Sequence, residues 1–537
     1  MGTNVHKEVV ADSPCIGYVP FTMSSDDRGS GKKSAARNGG NNPPAAGNAS
    51  PPASSDPGQP SPEPAPPRTP SRVDSPLTGG EPASVPPSQP SLFPAEPAPA
   101  PLIAPSTSRE SRPQRFLFIS KFGLIHDLAW EVKKEGNEVR YHIMTKSERD
   151  VADGFVDKVD RWEDSKDWAD VIVFDDCEFG ALSDRLRAEG RCVIGGTPYT
   201  DRLEMDRDFG QEEMRAAGIS ILPRWEFSSF DDAISFIKST PGRYVVKPSG
   251  RAQNDKVLSF VGQEEDGLDV LTMLEHYKKG WGTKIKSFQL QKYASGVEVA
   301  VGAFFNGVDF IHPVFVNFEH KRMFNDDIGP QTGEMGTSGF WHGSSTLFQQ
   351  TLYKMRDRLA AVRYTGYIDI NCIANSRGIF PLEFTCRFGY PTINLQIEGV
   401  LSRWADLLTG MARGVPVTLR TKRGFQVCVV IGVPPFPFLD SEAFRKFSED
   451  AVVIFRKPMN EGIHPCDVKL VDGDWRLTGN SGYVMVVTGS GSTMDDARRE
   501  AYNRVKNIIV PNMFYRTDIG ERWHKDGDLL QTWGYLL

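Results

Sequence analysis

The stretch YIDINCIANSRGIFPLEFTCRFG, residues 367–389, carries the strongest fold signal in the chain. Two apolar runs, Tyr367–Ala374 and Ile379–Phe384, flank a short turn that ends in glycine. This arrangement predicts an antiparallel β-hairpin. An acidic residue interrupts each run, Asp369 in the first and Glu383 in the second. Because paired strands present alternate side chains to one face, the hairpin can bring both carboxylates to the same side.

Two such carboxylates, together with phosphate oxygens, form a usual magnesium site in phosphoryl chemistry. Upstream, Lys247 ends the apolar run Tyr244–Val246, where its ammonium group can reach a phosphate. Glu298 follows Gly296 and could bond a ribose. Each residue alone says little, since a single Lys or Glu in a strand is usually structural or solvated. Their ordered combination indicates a nucleotide phosphate site.

The N-terminal part of the chain has a different composition. Residues 1–113 hold 24 of the 39 prolines, and residues 1–115 hold only three of the 56 aromatic residues. Such a segment cannot bury enough apolar surface to offset its chain entropy. We therefore predict a disordered Pro/Ser/Ala-rich tail over 1–113. Its Pro-rich runs could bind a partner module, although a solvated tail is the simpler interpretation.

The remaining residues number roughly 420, which is more than one hydrophobic core usually serves. We therefore predict several domains. Apolar runs that alternate with amphipathic segments indicate a parallel α/β domain at the start. Its predicted strands are Phe116–Ile119, Val171–Phe174 and Cys192–Ile194. Asn306-Gly307, between the apolar runs Val299–Phe305 and Phe310–Phe315, indicates a second hairpin further along. The predicted domains are an N-terminal α/β domain over 114–200, a mixed α/β domain over 201–420 with a small lobe about 221–295, and a C-terminal domain over 421–537.

Several classes of protein are excluded or disfavoured. The net charge of −7 argues against direct nucleic-acid binding, which needs a basic surface. The chain lacks an apolar run of the roughly 20 residues that cross a membrane. Seven scattered cysteines without a CxxC pair argue against disulfides or a zinc site and fit a reducing cytoplasm.

Longer motifs resemble the ATP-grasp superfamily, and most closely the phosphoribosylamine–glycine ligase family, over about 115–525. The fold class implied is α/β: an ATP-grasp domain between an N-terminal parallel α/β domain and a small C-terminal α+β domain. The motifs that carry the resemblance are Gly123 with His126–Trp130, His320–Arg322, Gly329–Gly336, Leu382–Gly389, Val487–Gly491 and Tyr515–Gly520.

The resemblance implies an ATP-dependent ligase with Mg²⁺ (or Mn²⁺), active in purine biosynthesis. An amino-acid carboxylate attacks the γ-phosphate, and an amine then attacks the acyl phosphate to form an amide. Positioning and charge neutralisation carry such chemistry. Glycine and phosphoribosylamine are the default small-molecule substrates, and we expect a monomer or homodimer.

Site residues follow from the same resemblance, motif by motif. The implied catalytic residues are Arg387, Lys247 and Glu383. The implied ATP-binding residues are Arg207, Lys247, Gln291, Tyr293 and Glu298. The implied substrate-binding residues are Lys321, Arg322, Gly333, Glu334 and Arg387, with Lys321 and Arg322 facing the phosphorylated amine. The implied metal ligands are Asp369, Glu383 and Thr385.

The phosphate site departs from the family pattern in three places. Arg207 stands where the family has its first ATP lysine, which keeps the charge but changes the geometry. The phosphate loop, residues 250–256, has lost two glycines. Thr385 replaces an asparagine beside the metal.

The substrate side departs further. Tyr390 and Thr392 replace two carboxylates, Glu334 replaces a glycine and Gln331 an asparagine. A carboxylate in place of glycine should repel a phosphate and attract an amine. Two alternatives to the parent reaction therefore stay open: a related ligase with another amine or amino acid, and a nucleotide-binding module without turnover. A third alternative is a scaffold protein that works through its Pro-rich N-terminal tail.

Overall fold

The computed structural model describes residues 112–249, 259–282, 285–459 and 461–537. The predicted tail, except for its last two residues, and the phosphate loop 250–256 lie outside these ranges. The predictions of disorder and of a partner for the tail therefore stay predictions. None of the helices in the described ranges is both long enough and apolar enough to cross a membrane.

The first described segment forms a five-stranded sheet in which every pairing is parallel, as predicted. The strand order is β3-β2-β1-β4-β5. Gly123, between the first strand and the first helix, has a φ of +93°, which favours glycine. The sequence prediction missed β2 and β3, of which β2 mixes charged and apolar residues. The elements are β1 (Arg115–Ser120), α1 (His126–Lys134), β2 (Glu138–Ile143), β3 (Asp157–Lys158), β4 (Val171–Phe174), α2 (Gly180–Ala188) and β5 (Val193–Ile194).

A small four-stranded antiparallel sheet follows, with the order β6-β9-β7-β8. Two helices pack against it around a separate apolar core. These residues correspond to the predicted small lobe. The elements are α3 (Pro198–Met205), α4 (Arg207–Ala216), β6 (Arg224–Phe227), α5 (Phe230–Ser239), β7 (Tyr244–Pro248), β8 (Phe260–Val261), α6 (Leu268–Trp281) and β9 (Phe288–Lys292).

The largest sheet contains both predicted hairpins. The Asn306-Gly307 turn joins β10 to β11, and the hairpin within 367–389 pairs β15 with β16. β11 continues to Glu319, four residues beyond the predicted strand. The elements are β10 (Val297–Asn306), β11 (Phe310–Glu319), β12 (Arg322–Phe324), β13 (Ile328–Gln331), β14 (Gly336–His342), α7 (Thr346–Gln350), α8 (Arg356–Ala361), β15 (Thr365–Asn375), β16 (Gly378–Thr385), α9 (Thr392–Gly399) and α10 (Trp404–Ala412).

The C-terminal segment adds three strands to this same sheet. Its order is β16-β15-β10-β11-β14-β17-β22-β19, and all neighbours are antiparallel. The sheet therefore contains strands from both sides of residue 420, where a domain boundary was predicted. The predicted domain boundaries stay predictions. The elements are β17 (Phe425–Gly432), α11 (Ser441–Phe447), β18 (Ile454–Phe455), β19 (Ile463–Pro465), β20 (Val468–Val471), β21 (Asp474–Leu477), β22 (Tyr483–Gly491), α12 (Met494–Val505), β23 (Ile508–Ile509) and α13 (Trp523–Thr532).

Both faces of the large sheet are buried. Val299 and Val301 of β10 belong to the apolar cluster on one face, whereas Phe304 belongs to the cluster on the other. Strands buried on both sides are almost continuously apolar, which explains the long runs in the sequence. Polar side chains in such strands are costly to bury, so those of β15 and β16 mark a site.

Candidate active site

A cleft of about 620 Å³ contains most of the predicted site residues. Its walls come from the small sheet, the large sheet and the loop before β14. A volume of this size suits a nucleotide-sized ligand. Of the thirteen predicted residues, the twelve that line the cleft are Arg207, Lys247, Gln291, Tyr293, Glu298, Lys321, Gly333, Glu334, Asp369, Glu383, Thr385 and Arg387.

Arg322 is the predicted site residue that does not line the cleft. Its Nη1 donates to the backbone oxygen of Gly329, 2.7 Å away, within the β12–β13 hairpin. Successive residues of an extended chain point to opposite sides. Lys321 therefore faces the cleft while Arg322 braces the hairpin outside it, and a substrate-binding role for Arg322 stays a prediction.

The metal ligands predicted from the sequence lie on neighbouring strands. Asp369 is opposite Thr385 in the β15–β16 register, and Asn371 is opposite Glu383. These four side chains line the cleft together. Alternation along each strand therefore places all four on one face, as the sequence predicted for the two carboxylates.

Asp369 lies at the buried end of this group. Asp369 is only 3% exposed, and its Oδ1 has no hydrogen-bond partner in the described structure. Burial raises the pKa of Asp369 well above its usual range, and nearby Glu319 acts in the same direction. A buried carboxylate oxygen without a partner, beside Glu383 and Thr385, fits a Mg²⁺ ion, which prefers oxygen ligands. The described residues contain no group of three metal-binding side chains, but Mg²⁺ usually takes one or two carboxylates plus phosphate.

Arg387 is held from two sides by carboxylates. Its Nε lies 3.1 Å from Oε1 of Glu204 and 3.3 Å from Oδ1 of Asp176. Burial disfavours the charged guanidinium, but these two carboxylates raise the pKa of Arg387 above its ordinary value. Its position is thus fixed by the end of α3 and by the residues that follow β4. The sequence prediction missed both partners, because 183 and 211 positions separate them from Arg387.

Lys321 lies between two carboxylates, and all three side chains line the cleft. Its Nζ lies 2.7 Å from Oε1 of Glu298 and 3.0 Å from Oε2 of Glu319. Burial disfavours the charge on Glu298, but Lys321 holds the pKa of that carboxyl below its ordinary value. Glu319, which the sequence prediction missed, also accepts from Nδ2 of Asn371 at 2.8 Å.

The small sheet and the start of α4 contribute another part of the cleft wall. Nη1 of Arg207 donates to the backbone oxygen of Pro248 at 2.8 Å, which holds its guanidinium beside β7 and Lys247. Gln291 is 2% exposed, and its Nε2 has no partner among the described atoms. The guanidinium carbon of Arg243 lies 3.5 Å from the ring centre of Tyr293, a cation–π contact.

Glu334 lines the cleft, whereas His126 does not. Glu334 is half-buried in the cleft and accepts a hydrogen bond from the Thr337 hydroxyl. Burial raises the pKa of Glu334 well above its usual range, with Glu319 adding to the effect. His126 is buried away from the cleft, with Nδ1 2.7 Å from the Gly123 oxygen, so it is a structural residue of the first turn.

The cleft between the small and large sheets, lined by Arg207, Lys247 and Arg387, is that of an ATP-grasp fold, and two family matches agree with this. Residues 205–393 match the family described as phosphoribosylglycinamide synthetase, ATP-grasp (A) domain. Residues 458–522 match the C domain of the same synthetase. The chain has an ATP-grasp fold and resembles the phosphoribosylamine–glycine ligases.

Curated relatives support this resemblance at low identity. The phosphoribosylamine–glycine ligase of Corynebacterium ammoniagenes is 27% identical over 354 residues, covering 63% of this chain and 79% of the relative. The ligase of the same name from Streptococcus pneumoniae is 26% identical over 361 residues, covering 65% of this chain and 82% of the relative.

Solved structures confirm the fold. The phosphoribosylamine–glycine ligase of Thermotoga maritima aligns with a TM-score of 0.58 and 20% identity, over 75% of this chain and all of the other. The biotin carboxylase domain dimer of the Hydrogenobacter thermophilus 2-oxoglutarate carboxylase, solved with MgADP and bicarbonate, gives a TM-score of 0.53 and 13% identity. It covers 79% of this chain and 98% of the other. The ATP-grasp architecture predicted from the sequence is therefore correct.

Proposed function

We propose that this protein is an ATP-dependent carboxylate–amine ligase that joins glycine to phosphoribosylamine. The observation that carries the proposal is the placement of Asp369, Glu383 and Thr385 on one face of a cleft that also holds Arg387 and Lys247. Oxygen ligands for a metal ion, together with positively charged side chains in the same cleft, suit phosphoryl transfer. That reaction depends on positioning and charge neutralisation. The names of the curated relatives support the same reaction.

The reaction has two steps. A carboxylate oxygen of glycine bonds to the γ-phosphorus as the bond to the β–γ bridging oxygen breaks, giving an acyl phosphate and ADP. The amine nitrogen then bonds to the acyl carbon, inorganic phosphate leaves, and the nitrogen loses a proton to form the amide. Arg387 is the residue proposed to neutralise the transferring phosphoryl group, because Glu204 and Asp176 hold its guanidinium rigidly.

The remaining roles follow the position of each residue in the cleft. Asp369, Glu383 and Thr385 would hold Mg²⁺ or Mn²⁺, which when bound neutralises charge on the phosphate oxygens. The other proposed roles are phosphate binding by Arg207 and Lys247, adenine binding by Gln291 and Tyr293, ribose binding by Glu298, and substrate binding by Lys321, Gly333 and Glu334.

The test follows ADP release by the full-length protein with MgATP, glycine and phosphoribosylamine, with Glu383→Ala as the blank. We expect ADP release that needs both substrates and that falls to background in the blank. Binding of ATP without turnover, with this pair and with a panel of other amino acids and amines, would contradict the proposal and favour a nucleotide-binding module.

One observation favours a second candidate, a ligase of the same chemistry with another amine or amino acid. Tyr390 and Thr392 line the cleft at the positions where the related family carries carboxylates. Turnover in the panel with a different pair, but not with phosphoribosylamine, would select this candidate.

We also propose that the protein works in the cytoplasm as a monomer or homodimer. The six cysteines in the described ranges are unpaired, and five of them are buried, which fits a reducing compartment. Light scattering of the purified protein would give its oligomeric state.

A further inference from the structure

Unsatisfied hydrogen-bond acceptors meet on one wall of the cleft. Asn371 donates its Nδ2–H to Glu319, and this directs its Oδ1 away from that carboxylate. This Oδ1 is buried and has no hydrogen-bond partner in the described ranges, and the same holds for Oδ1 of Asp369. Both residues are more than nine-tenths buried and line the cleft. A ligand that satisfies these atoms must be a donor or a cation.

Glu334 adds a further carboxylate to this wall. Its charged neighbours are Glu319, Lys321 and Asp369. Of these neighbours Lys321 alone is cationic, and it is already shared between Glu298 and Glu319. Glu298 and Glu319 outnumber Lys321 even before Glu334 is counted, and a cation in the cleft would favour the ionised form of Glu334. This wall would therefore repel a phosphate and attract a cation.

We propose that Glu334, Glu319 and Oδ1 of Asn371 bind the ammonium group of the amino-acid substrate. This inference rests on the proposed function, which requires a substrate whose carboxylate attacks ATP. An ammonium group carries three N–H donors, which match these three acceptors. One carbon separates the ammonium group from the carboxylate in glycine. Binding at Asn371 therefore directs the carboxylate towards its cross-strand neighbour Glu383, on the metal side of the cleft.

The geometry favours an ammonium group over a second metal ion. The ammonium nitrogen of Lys321 already lies 2.7 and 3.0 Å from two carboxylates of this wall, which are N–H···O distances. Mg²⁺ requires oxygens at about 2.0–2.1 Å in octahedral geometry. No three His, Cys, Asp or Glu side chains in the described parts of the chain are placed to hold a metal ion together.

The test traps the acyl phosphate so that the second substrate is not needed. Hydroxylamine nitrogen bonds to the acyl carbon, phosphate leaves, and glycine hydroxamate is measured with iron(III). The full-length protein is compared with Glu334→Gln, which removes the charge, and with Glu334→Asp, which keeps it. Glu461→Gln is the matched control, because that side chain is 90% exposed.

The proposal predicts a specific change in KM. In Glu334→Gln the KM for glycine rises at least tenfold, while the KM for ATP stays within twofold of that of the unmodified protein. Glycolate has a hydroxyl in place of the ammonium group, so its inhibition constant against glycine stays unchanged. Glu334→Asp recovers most of the glycine affinity, and Glu461→Gln behaves as the unmodified protein.

Two results would overturn the proposal: an unchanged KM for glycine, or an equal loss of affinity for glycine and glycolate, which indicates a structural role. Weaker Mn²⁺ binding in Glu334→Gln with unchanged glycine affinity would assign the site to a metal. If the unmodified protein makes no hydroxamate, the proposed function fails instead. Calorimetric titration of glycine into the MgADP-bound protein then decides the subsite, since tenfold weaker binding in Glu334→Gln supports it and equal or absent binding refutes it.

Discussion

His464 and Asp127 form a buried hydrogen-bonded pair across 337 positions of the chain, with Nδ1 of the histidine 2.8 Å from Oδ2 of the aspartate. Nδ2 of Asn394 donates to the same oxygen at 2.9 Å. Burial disfavours the charge on Asp127, but His464 and Asn394 hold the pKa of that carboxyl below its ordinary value. The pair joins α1 of the N-terminal sheet to α9 and to β19 of the C-terminal segment.

We expect Asp127→Ala to lower the free energy of unfolding by about 3–5 kcal/mol, because it leaves buried polar partners uncompensated. Urea denaturation of the full-length protein measures the change. Asp164→Ala is the control, since Asp164 is 71% exposed in its ion pair with Arg161 and should cost at most about 1 kcal/mol. Equal effects of the two substitutions would contradict this role for the buried pair.

Glu398 predicts a pH dependence of stability. Burial opposes its charge, but the hydrogen bonds and charge of Lys422, together with Ser490, lower its pKa from 4.5 to about 2. A carboxyl with a depressed pKa in the folded state stabilises the protein above its unfolded pKa and loses this effect as pH falls through the folded value. Glu398→Gln should therefore cost about 3 kcal/mol at pH 7.

Denaturation of Glu398→Gln and of the unmodified protein between pH 7 and pH 2 tests this. The stability difference should stay constant down to about pH 4.5 and then shrink towards pH 2. A difference that is constant over the whole range would show that the carboxylate charge does not contribute.

Arg387→Lys should keep a positive charge but lose catalysis. A lysine cannot engage Glu204 and Asp176 with the planar geometry of a guanidinium. We expect kcat to fall about 10²–10³-fold, as for the loss of one transition-state donor, with a small change in the KM for ATP. Steady-state ADP release measures both constants. A rise in the KM for ATP at constant kcat would show that Arg387 binds nucleotide and does not stabilise the transferring group.

Gly302→Ala should destabilise the sheet beneath the site. A Cβ at Gly302 would overlap the hydroxyl of Tyr367 and lie 2.6 Å from Cβ of Asp369. Tyr367 is buried and has little space to move. We expect a loss of about 1–3 kcal/mol, measured by urea denaturation. Gly343→Ala, where a Cβ meets no atom within 4 Å, is the control and should change stability by less than about 1 kcal/mol.

The sequence predicted what short-range patterns determine. Asn306-Gly307 and the turn before Ile379 marked two hairpins, and alternation along the second placed Asp369 and Glu383 on one face. These features depend on residues within about twenty positions of one another. The structure confirms them because strand pairing through a short turn leaves few alternative registers.

Contacts between distant segments were not predictable in this way. The pairing of Arg387 with Glu204 and Asp176 depends on how α3 and β4 dock against the large sheet. Glu319 lay outside the predicted strand because β11 continues past the last purely apolar residues. That Arg322 lies outside the cleft was not predictable, because a motif match carries no information about which side of the chain each residue faces.

The shared sheet has a practical consequence for dissecting this protein. A fragment that stops near residue 420 would remove β17 and leave β14 with a row of unpaired N–H and C=O groups, Gly336 to Phe340. An exposed edge strand is a template for aggregation. Crystallisation trials or binding assays on the isolated ATP-grasp segment would therefore encounter self-association, and a useful fragment has to retain β17 and β22.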